Sequence, residues 1–293
     1  SARAGCEVIV KHENHTPTGA FKVRGGITYL DALARAEPEC PGLVTATRGN
    51  HGQSIPWAAR AHGLGVTVYV PEGNSLEKNR AMQGLGATLV VEGHDFDAAR
   101  VASVARAKAE GWHLVPSFHP DLVKGVATYA LELFTAHPDL DTVYVPIGMG
   151  SGISAVMRTR DLLGLKTEVV GVVSEGADAY ARSFETGRAI ATERAHTFAD
   201  GMACRMPLPE VVEGLVKGCA RVVRVSDDAI AEAIRAYHAE THNTAEGAGA
   251  APLAALMQER TRQQGKRCAV ILCGANIDTA WLATILSGGT PTP

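Results

Sequence analysis

At 293 residues the chain is long enough to bury a large core, as one big domain or as two moderate ones. Its 46% hydrophobic and 20% charged residues are those of an ordinary globular protein, and a net charge of −3 gives no electrostatic case for nucleic acid or an anionic membrane. That leaves a small-molecule partner. No apolar run is long enough to cross a bilayer, and the opening SARAGCEVIVKHEN lacks the layout of a signal peptide and reads as a chain entered midway. Six cysteines without CxxC pairs or zinc spacing fit reduced thiols in a cytoplasm.

A short β-branched run, a glycine-containing turn and an alanine-rich amphipathic stretch recur along the chain, the rhythm of an α/β protein with parallel strands. The predicted strands are 7–13, 43–47, 66–71, 88–93, 113–116, 142–147, 168–173, 221–225 and 268–273. Nearly all are apolar on both faces, as strands covered by helices on two sides should be. The predicted helices are 21–36, 51–63, 76–85, 95–110, 120–137, 152–164, 227–241, 246–262 and 276–287. Ser226 before Asp227 and Asp228 is an N-cap followed by first-turn acids. The stretch 174–220, with MetProLeuPro at 206–209, is read as loops with short helices. Residues 37–122 are expected to form a small domain, and 1–36 with 123–293 a larger one.

Four turns carry the chemistry. In HTPTGAFKVRGG (15–26) a proline and a glycine hold a tight turn, a helix begins near Phe21, and Lys22 lies in its first turn. A helix N-terminus lowers a lysine's pKa, as an amine that must attack an aldehyde requires. On spacing alone a surface lysine flanked by glycines is the simpler reading. The second turn, ThrArgGlyAsnHisGlyGlnSer (47–54), lies between a strand and a helix, where backbone N–H groups bind carboxylate or phosphate. An ordinary turn with a capping Asn has the same pattern. GlyMetGlySerGly (148–152) follows a strand and opens a helix, which suits an anion cradle; it lacks the GxGxxG spacing of a dinucleotide site. CysGlyAlaAsn (273–276) ends the last strand, at the edge where α/β sheets bind ligands.

Together these turns, in this order, resemble the serine/threonine dehydratase and serine racemase family, fold type II of the pyridoxal phosphate enzymes, over nearly the whole chain. The family motif PTGSFKxRG appears as ProThrGlyAlaPheLysValArgGly from 17 to 25, and SSGNHAQ as ThrArgGlyAsnHisGlyGln from 47 to 53. The resemblance implies a two-lobed α/β fold, each lobe a mostly parallel sheet flanked by helices, with the larger lobe binding pyridoxal 5'-phosphate. It implies that Lys22 carries the cofactor as a Schiff base and acts as the base at Cα, with Phe21 beside the ring. Asn50 would bond the ring hydroxyl, while Thr47 and the backbone of Arg48, Gly49, Asn50 and His51 hold the substrate carboxylate. Gly148, Met149, Gly150, Ser151 and Gly152 match the tetraglycine phosphate loop, with Met and Ser in place of two glycines. Cys273 matches the partner of the pyridine nitrogen, where a neutral thiol favours elimination over transamination. The implied reaction is dehydration and deamination of a hydroxy amino acid: L-threonine to 2-oxobutanoate and ammonia, or L-serine to pyruvate. A homodimer is also implied.

The departures are informative. The second serine of SSGNH, the acid/base of the racemases, is Arg48 here, which argues against racemisation; its guanidinium either faces solvent or pairs with a second carboxylate on a substrate such as 3-hydroxyaspartate. Phenylserine is a further candidate substrate. The family's cation ligands match Val173 and Ala179, so no metal is expected, although Glu175 and Asp178 are close in sequence. Glu246 in GluGlyAlaGlyAlaAla lies near the implied site or serves as a helix N-terminal acid, and Asp200 and Gly201 form either a cofactor-proximal segment or a plain turn. The eleven histidines show no HExxH or paired-ligand spacing, and most read as surface or loop residues. No appended regulatory domain is expected, and an N-terminal strand and turn present in the family are not in the sequence. The rival outside enzymes is a binding protein that kept the fold without the cofactor.

Overall fold

The computed structural model describes residues 1–292. Strand β1 (Glu7–His12) leads to helix α1 (Lys22–Ala36), and then β2 (Leu43–Ala46), α2 (Asn50–Ala59), β3 (Val66–Val70), α3 (Leu76–Gly84), β4 (Thr88–Val91), α4 (Phe96–Glu110) and β5 (His113–Leu114) alternate. They are followed by α5 (Pro120–Ala136), β6 (Thr142–Pro146), α6 (Ser151–Leu162), β7 (Glu168–Ser174), α7 (Ala179–Thr186) and α8 (Pro209–Gly218). The last elements are β8 (Arg221–Val225), α9 (Asp227–Thr241), α10 (Gly247–Gln258), β9 (Arg267–Leu272) and α11 (Thr279–Leu286). This is the α/β alternation that the sequence predicts. Among the described residues no helix is long and apolar enough to cross a membrane.

The chain divides into two compact units, Ser1–His15 with Ala127–Pro293, and Thr16–Val126. The larger holds a five-stranded sheet in the order β1-β9-β6-β7-β8, the smaller a four-stranded sheet in the order β4-β3-β2-β5. Every strand pairing among the described residues is parallel. Strands β6, β7 and β9 are valine-rich or otherwise mostly apolar and almost fully buried, while edge strands β1 and β8 carry charged residues and are mostly half-buried. Parallel strands of one sheet all end on the same edge, so the turns after β6 and β9 share an edge of the larger sheet. Strand β5 is shorter than the predicted 113–116. Val115 N–H still bonds Val44 C=O, but Pro116 has no N–H to continue the ladder.

In the smaller unit Leu30, Leu43, Ile55, Val68 and Met82 form the core. Helix α1 is drawn into this unit by close backbone packing, where the sequence groups it with the larger domain. A Cβ on Gly26 would lie 2.9 Å from Ser54 O on α2, and one on Gly25 2.8 Å from Leu122 O on α5. The tightest approach is Gly125, whose Cβ would lie 2.2 Å from Arg24 O. The glycines after Lys22 thus fix the helix that presents it. Gly125→Ala should destabilise the protein by about 1–3 kcal/mol or more in denaturant unfolding, through overpacking. Gly65→Ala, with nothing within 4 Å of its Cβ, should change stability by no more than about 0.5 kcal/mol. Equal effects of the two substitutions would contradict this packing account.

Candidate active site

In the smaller unit the turn before α1 is closed by Thr16, whose hydroxyl donates to Ala20 C=O (2.8 Å) and accepts from Ala20 N–H (2.9 Å). Lys22 is the first residue of α1 and follows Phe21 at the N-cap. Its Nζ lies over the Phe21 ring, 5.1 Å from the centroid. The amine is half-buried at the positive end of a helix dipole, a position that disfavours the ammonium.

The turn after β2 is built around Thr47. Thr47 N–H donates to Tyr69 C=O (3.0 Å), and Gly49 N–H donates to Thr47 Oγ1 (3.0 Å). Of the backbone donors expected to hold a substrate carboxylate, Gly49 N–H is therefore committed to its neighbour. Helix α2 begins at Asn50, and its first backbone bond runs from Gln53 N–H to Gly49 C=O (3.2 Å), so the amides between point out of the helix N-terminus. Among the described residues the half-buried Arg48 guanidinium makes no hydrogen bond or ion pair.

His51 is 7% exposed, and among the described residues its Nε2 has no hydrogen-bond partner. Burial first, and then the charge of Lys22, push the imidazole from 6.5 down to about 3. It is neutral at any working pH. Sequence reading had no means to find this state, or the neighbouring Gln53, whose Nε2 is also buried without a partner. It also missed Lys78, buried on α3 with its side chain against Gly49. The available signal was its place in the first turn of a helix capped by Ser75, as unfavourable for an ammonium as that of Lys22.

In the larger unit the chain leaves β6 through the buried Ile147 and turns at Gly148–Gly150 into α6. A Cβ on Gly148 would lie 2.3 Å from Gly201 O, and Gly150 has φ 95 with Val211 Cγ1 2.4 Å from its would-be Cβ. Only glycine fits either position. Gly152 C=O accepts from Tyr129 OH (3.3 Å), Ser151 is buried, and Cys204 Sγ lies 3.8 Å from Met149 Sδ. Gly201, in a short 3-10 turn with Asp200, thus packs directly on this loop. Cys273 is buried just beyond β9. Near it stands Tyr237, whose hydroxyl is buried without a partner among the described residues; burial and Cys273 push its phenol well above the usual tyrosine range. Glu246 is the N-cap of α10 but makes no side-chain cap bond; its N–H donates to Gly274 C=O (3.0 Å).

Val173 and Ala179 are buried apolar residues, and Asp178 pairs with Arg182 (2.8 Å) and Arg224 (3.1 Å). No group of three or more His, Cys, Asp or Glu that could hold a metal ion occurs among the described residues. The two units fit pyridoxal phosphate in different ways. The larger offers a glycine cradle at the N-terminus of a twelve-residue helix, suited to a phosphate. The smaller offers an amine at a helix head beside an aromatic face.

A histidine whose folded pKa is depressed binds its proton later in the folded than in the unfolded chain, so stability falls as the pH drops from 6.5 through about 3. Each tenfold difference in proton affinity between the two states corresponds to about 1.4 kcal/mol. In His51→Gln the unfolding free energy should therefore vary less with pH across that window, by several kcal/mol over its full width. A wild-type slope in the variant would contradict the buried neutral histidine.

The description "Pyridoxal-phosphate dependent enzyme" matches residues 1–274 of the chain. An L-threonine ammonia-lyase of Thermotoga maritima is 33% identical over 286 residues, covering 97% of this chain and 71% of that protein. An L-threo-3-hydroxyaspartate ammonia-lyase of Pseudomonas sp is 29% identical over 98% of this chain and 90% of its own length. Among solved structures, the processed form of threonine deaminase isoform 2 from Solanum lycopersicum superposes with a TM-score of 0.91 at 27% identity, covering 98% of this chain and 85% of that one. The chain belongs to the pyridoxal-phosphate-dependent enzymes, in the serine/threonine dehydratase branch of fold type II.

Proposed function

We propose that this enzyme is an ammonia-lyase that removes water from a 3-hydroxy amino acid, foremost L-threonine, giving 2-oxobutanoate and ammonia, and L-serine, giving pyruvate. The observation that carries this reading is Lys22, an amine held at a helix head over the Phe21 face, beside a histidine too buried to protonate. The likeness to L-threonine ammonia-lyases supports the substrate.

When bound, pyridoxal phosphate supplies the electron sink for the pair left behind at Cα. Lys22 Nζ would hold the cofactor in the resting enzyme and, once released, would take the Cα proton, a task for an uncharged amine. Gly148, Met149, Gly150, Ser151 and Gly152 would hold the phosphate through their backbone at the head of α6. Asn50 would orient the ring through its hydroxyl, and the Thr47–His51 turn would orient the substrate carboxylate. Cys273 would meet the ring nitrogen, where a thiol would not fix a proton as a carboxylate does, which favours elimination. The buried His51 imidazole stays neutral and adds no positive charge beside Lys22. Once the hydroxyl has left, the released enamine takes up water and yields the 2-oxo acid and ammonia.

One observation favours a second substrate. The Arg48 guanidinium has no partner among the described residues, and a second carboxylate on 3-hydroxyaspartate would supply one. A racemase is disfavoured because Arg48 is a poor proton donor or acceptor. The six cysteines are free thiols, which supports a reducing cytoplasm, and a homodimer goes with the family reading.

Purified protein should be yellow, and Lys22→Ala should lose both that colour and oxo-acid production from L-threonine by about 10³-fold or more. Undiminished turnover in the variant would sink the assignment, and a colourless wild type that does not take up the cofactor would favour a binding protein. In a panel of hydroxy amino acids assayed for ammonia, Arg48→Ser should spare L-threonine; a loss confined to 3-hydroxyaspartate would assign Arg48 to the second carboxylate.

A further inference from the structure

Helix α9 opens with Ser226 as its N-cap, and Ser226 Oγ accepts from Ala229 N–H (3.2 Å), so this end of the helix is closed by the residue before Asp227. The half-buried Asp227 carboxylate is used elsewhere. Its Oδ1 accepts from Ser174 Oγ (3.0 Å) and from Thr197 Oγ1 (2.6 Å), and its Oδ2 accepts from Phe198 N–H (3.1 Å). All three donors lie outside α9. A first-turn acid that served the helix dipole alone would have no need of them.

The segment that Asp227 grips runs on to the glycine loop. Thr197 and Phe198 are buried, and Thr197 Oγ1 also accepts from Ala199 N–H (3.1 Å). The 3-10 turn at Asp200–Met202 follows, with Met202 N–H donating to Ala199 C=O (2.8 Å). From this turn Gly201 O comes within 2.3 Å of where a Gly148 Cβ would sit, and Ala199 Cα within 2.7 Å of a would-be Cβ on Gly247 at the head of α10. Steric contact limits how near Gly201 approaches Gly148 but does not draw it in. The charge-assisted bonds to Asp227 hold the root of the segment, and through Ser174 they tie it to the end of β7. There Gly176 N–H donates to Ser174 Oγ (3.2 Å) and His196 N–H to Gly176 C=O (2.8 Å).

We infer that Asp227 is a positioning residue for the cofactor's phosphate: by holding Thr197 and Phe198 it seats Gly201 against Gly148 and so fixes the course of the glycine loop into α6. This rests on the reading of residues 148–152 as the phosphate cradle and deepens it, since Asp227 acts there only through the 197–201 segment. The bond between an amine and the cofactor's aldehyde is independent of Asp227.

The full chain, stripped of cofactor, is titrated with pyridoxal 5'-phosphate and with pyridoxal, which differ by the phosphate group, and uptake is followed by the absorbance of the Schiff base. In Asp227→Ala the preference for the phosphorylated form should fall by about tenfold or more, with affinity for pyridoxal unchanged, and Asp227→Asn, which keeps one acceptor oxygen, should restore part of it. The phosphorus NMR resonance of the bound cofactor should move towards its free position in Asp227→Ala. Thr197→Val, which removes one of the donors, should show a smaller loss of the same kind and serves if Asp227→Ala does not fold. Ser226→Ala, which loosens the same helix end without touching the segment, should keep the wild-type preference. An unchanged preference in Asp227→Ala and Thr197→Val, an equal loss of affinity for both compounds, or the same loss in Ser226→Ala would each overturn the inference. A wild type that binds pyridoxal as tightly as its phosphate would instead overturn the cradle reading itself, so the two failures are distinguishable.

Discussion

The smaller unit is arranged around a scarcity of positive charge at one amine. Lys22 begins a helix whose dipole opposes its protonation, and neighbours a histidine that burial keeps neutral. A surface lysine would be an ammonium at neutral pH and useless as a base. Everything that positions α1, from the Thr16 clasp to the close approach of Gly25 and Gly26 to their neighbours, serves to hold this one amine where its charge is least favoured. The cost is borne by the packing of that unit, which must seat a helix almost backbone to backbone.

The larger unit answers a different demand, that of an anion. The phosphate cradle proposed there would need no side-chain charge, because the helix head supplies partial charge and two glycines supply room. That is why Met149 and Ser151 can stand where the family has glycine: the positions that cannot change are Gly148, closed by Gly201 O, and Gly150, with its left-handed backbone.

Much of this architecture is legible in the amino-acid sequence. Parallel strands buried on both faces read as short, mostly apolar, valine-rich runs, and the nine predicted strands correspond to β1 through β9. Boundaries failed where one residue overrode a pattern, as Pro116 does at β5, or where a turn delayed a helix, as Cys273–Asn276 does before α11. Lys22, the Thr47–His51 turn and the glycine loop were visible because their chemistry is local, carried by contiguous residues. Lys78 and Tyr237 were not. Each gains its meaning from a neighbour distant in sequence, Gly49 and Cys273, and no periodicity or motif records such a meeting. The protonation state of His51 was equally hidden, since it follows from burial rather than from residue type.

The central claim is that one amine, at the head of α1, carries the cofactor. Reduction of the yellow enzyme with borohydride, followed by digestion and mass spectrometry, locates the attachment directly. A stable pyridoxyl label is expected on Lys22 and on no other lysine, Lys78 included. A label on a different residue, or none on protein that absorbs like a bound pyridoxal, would contradict that claim.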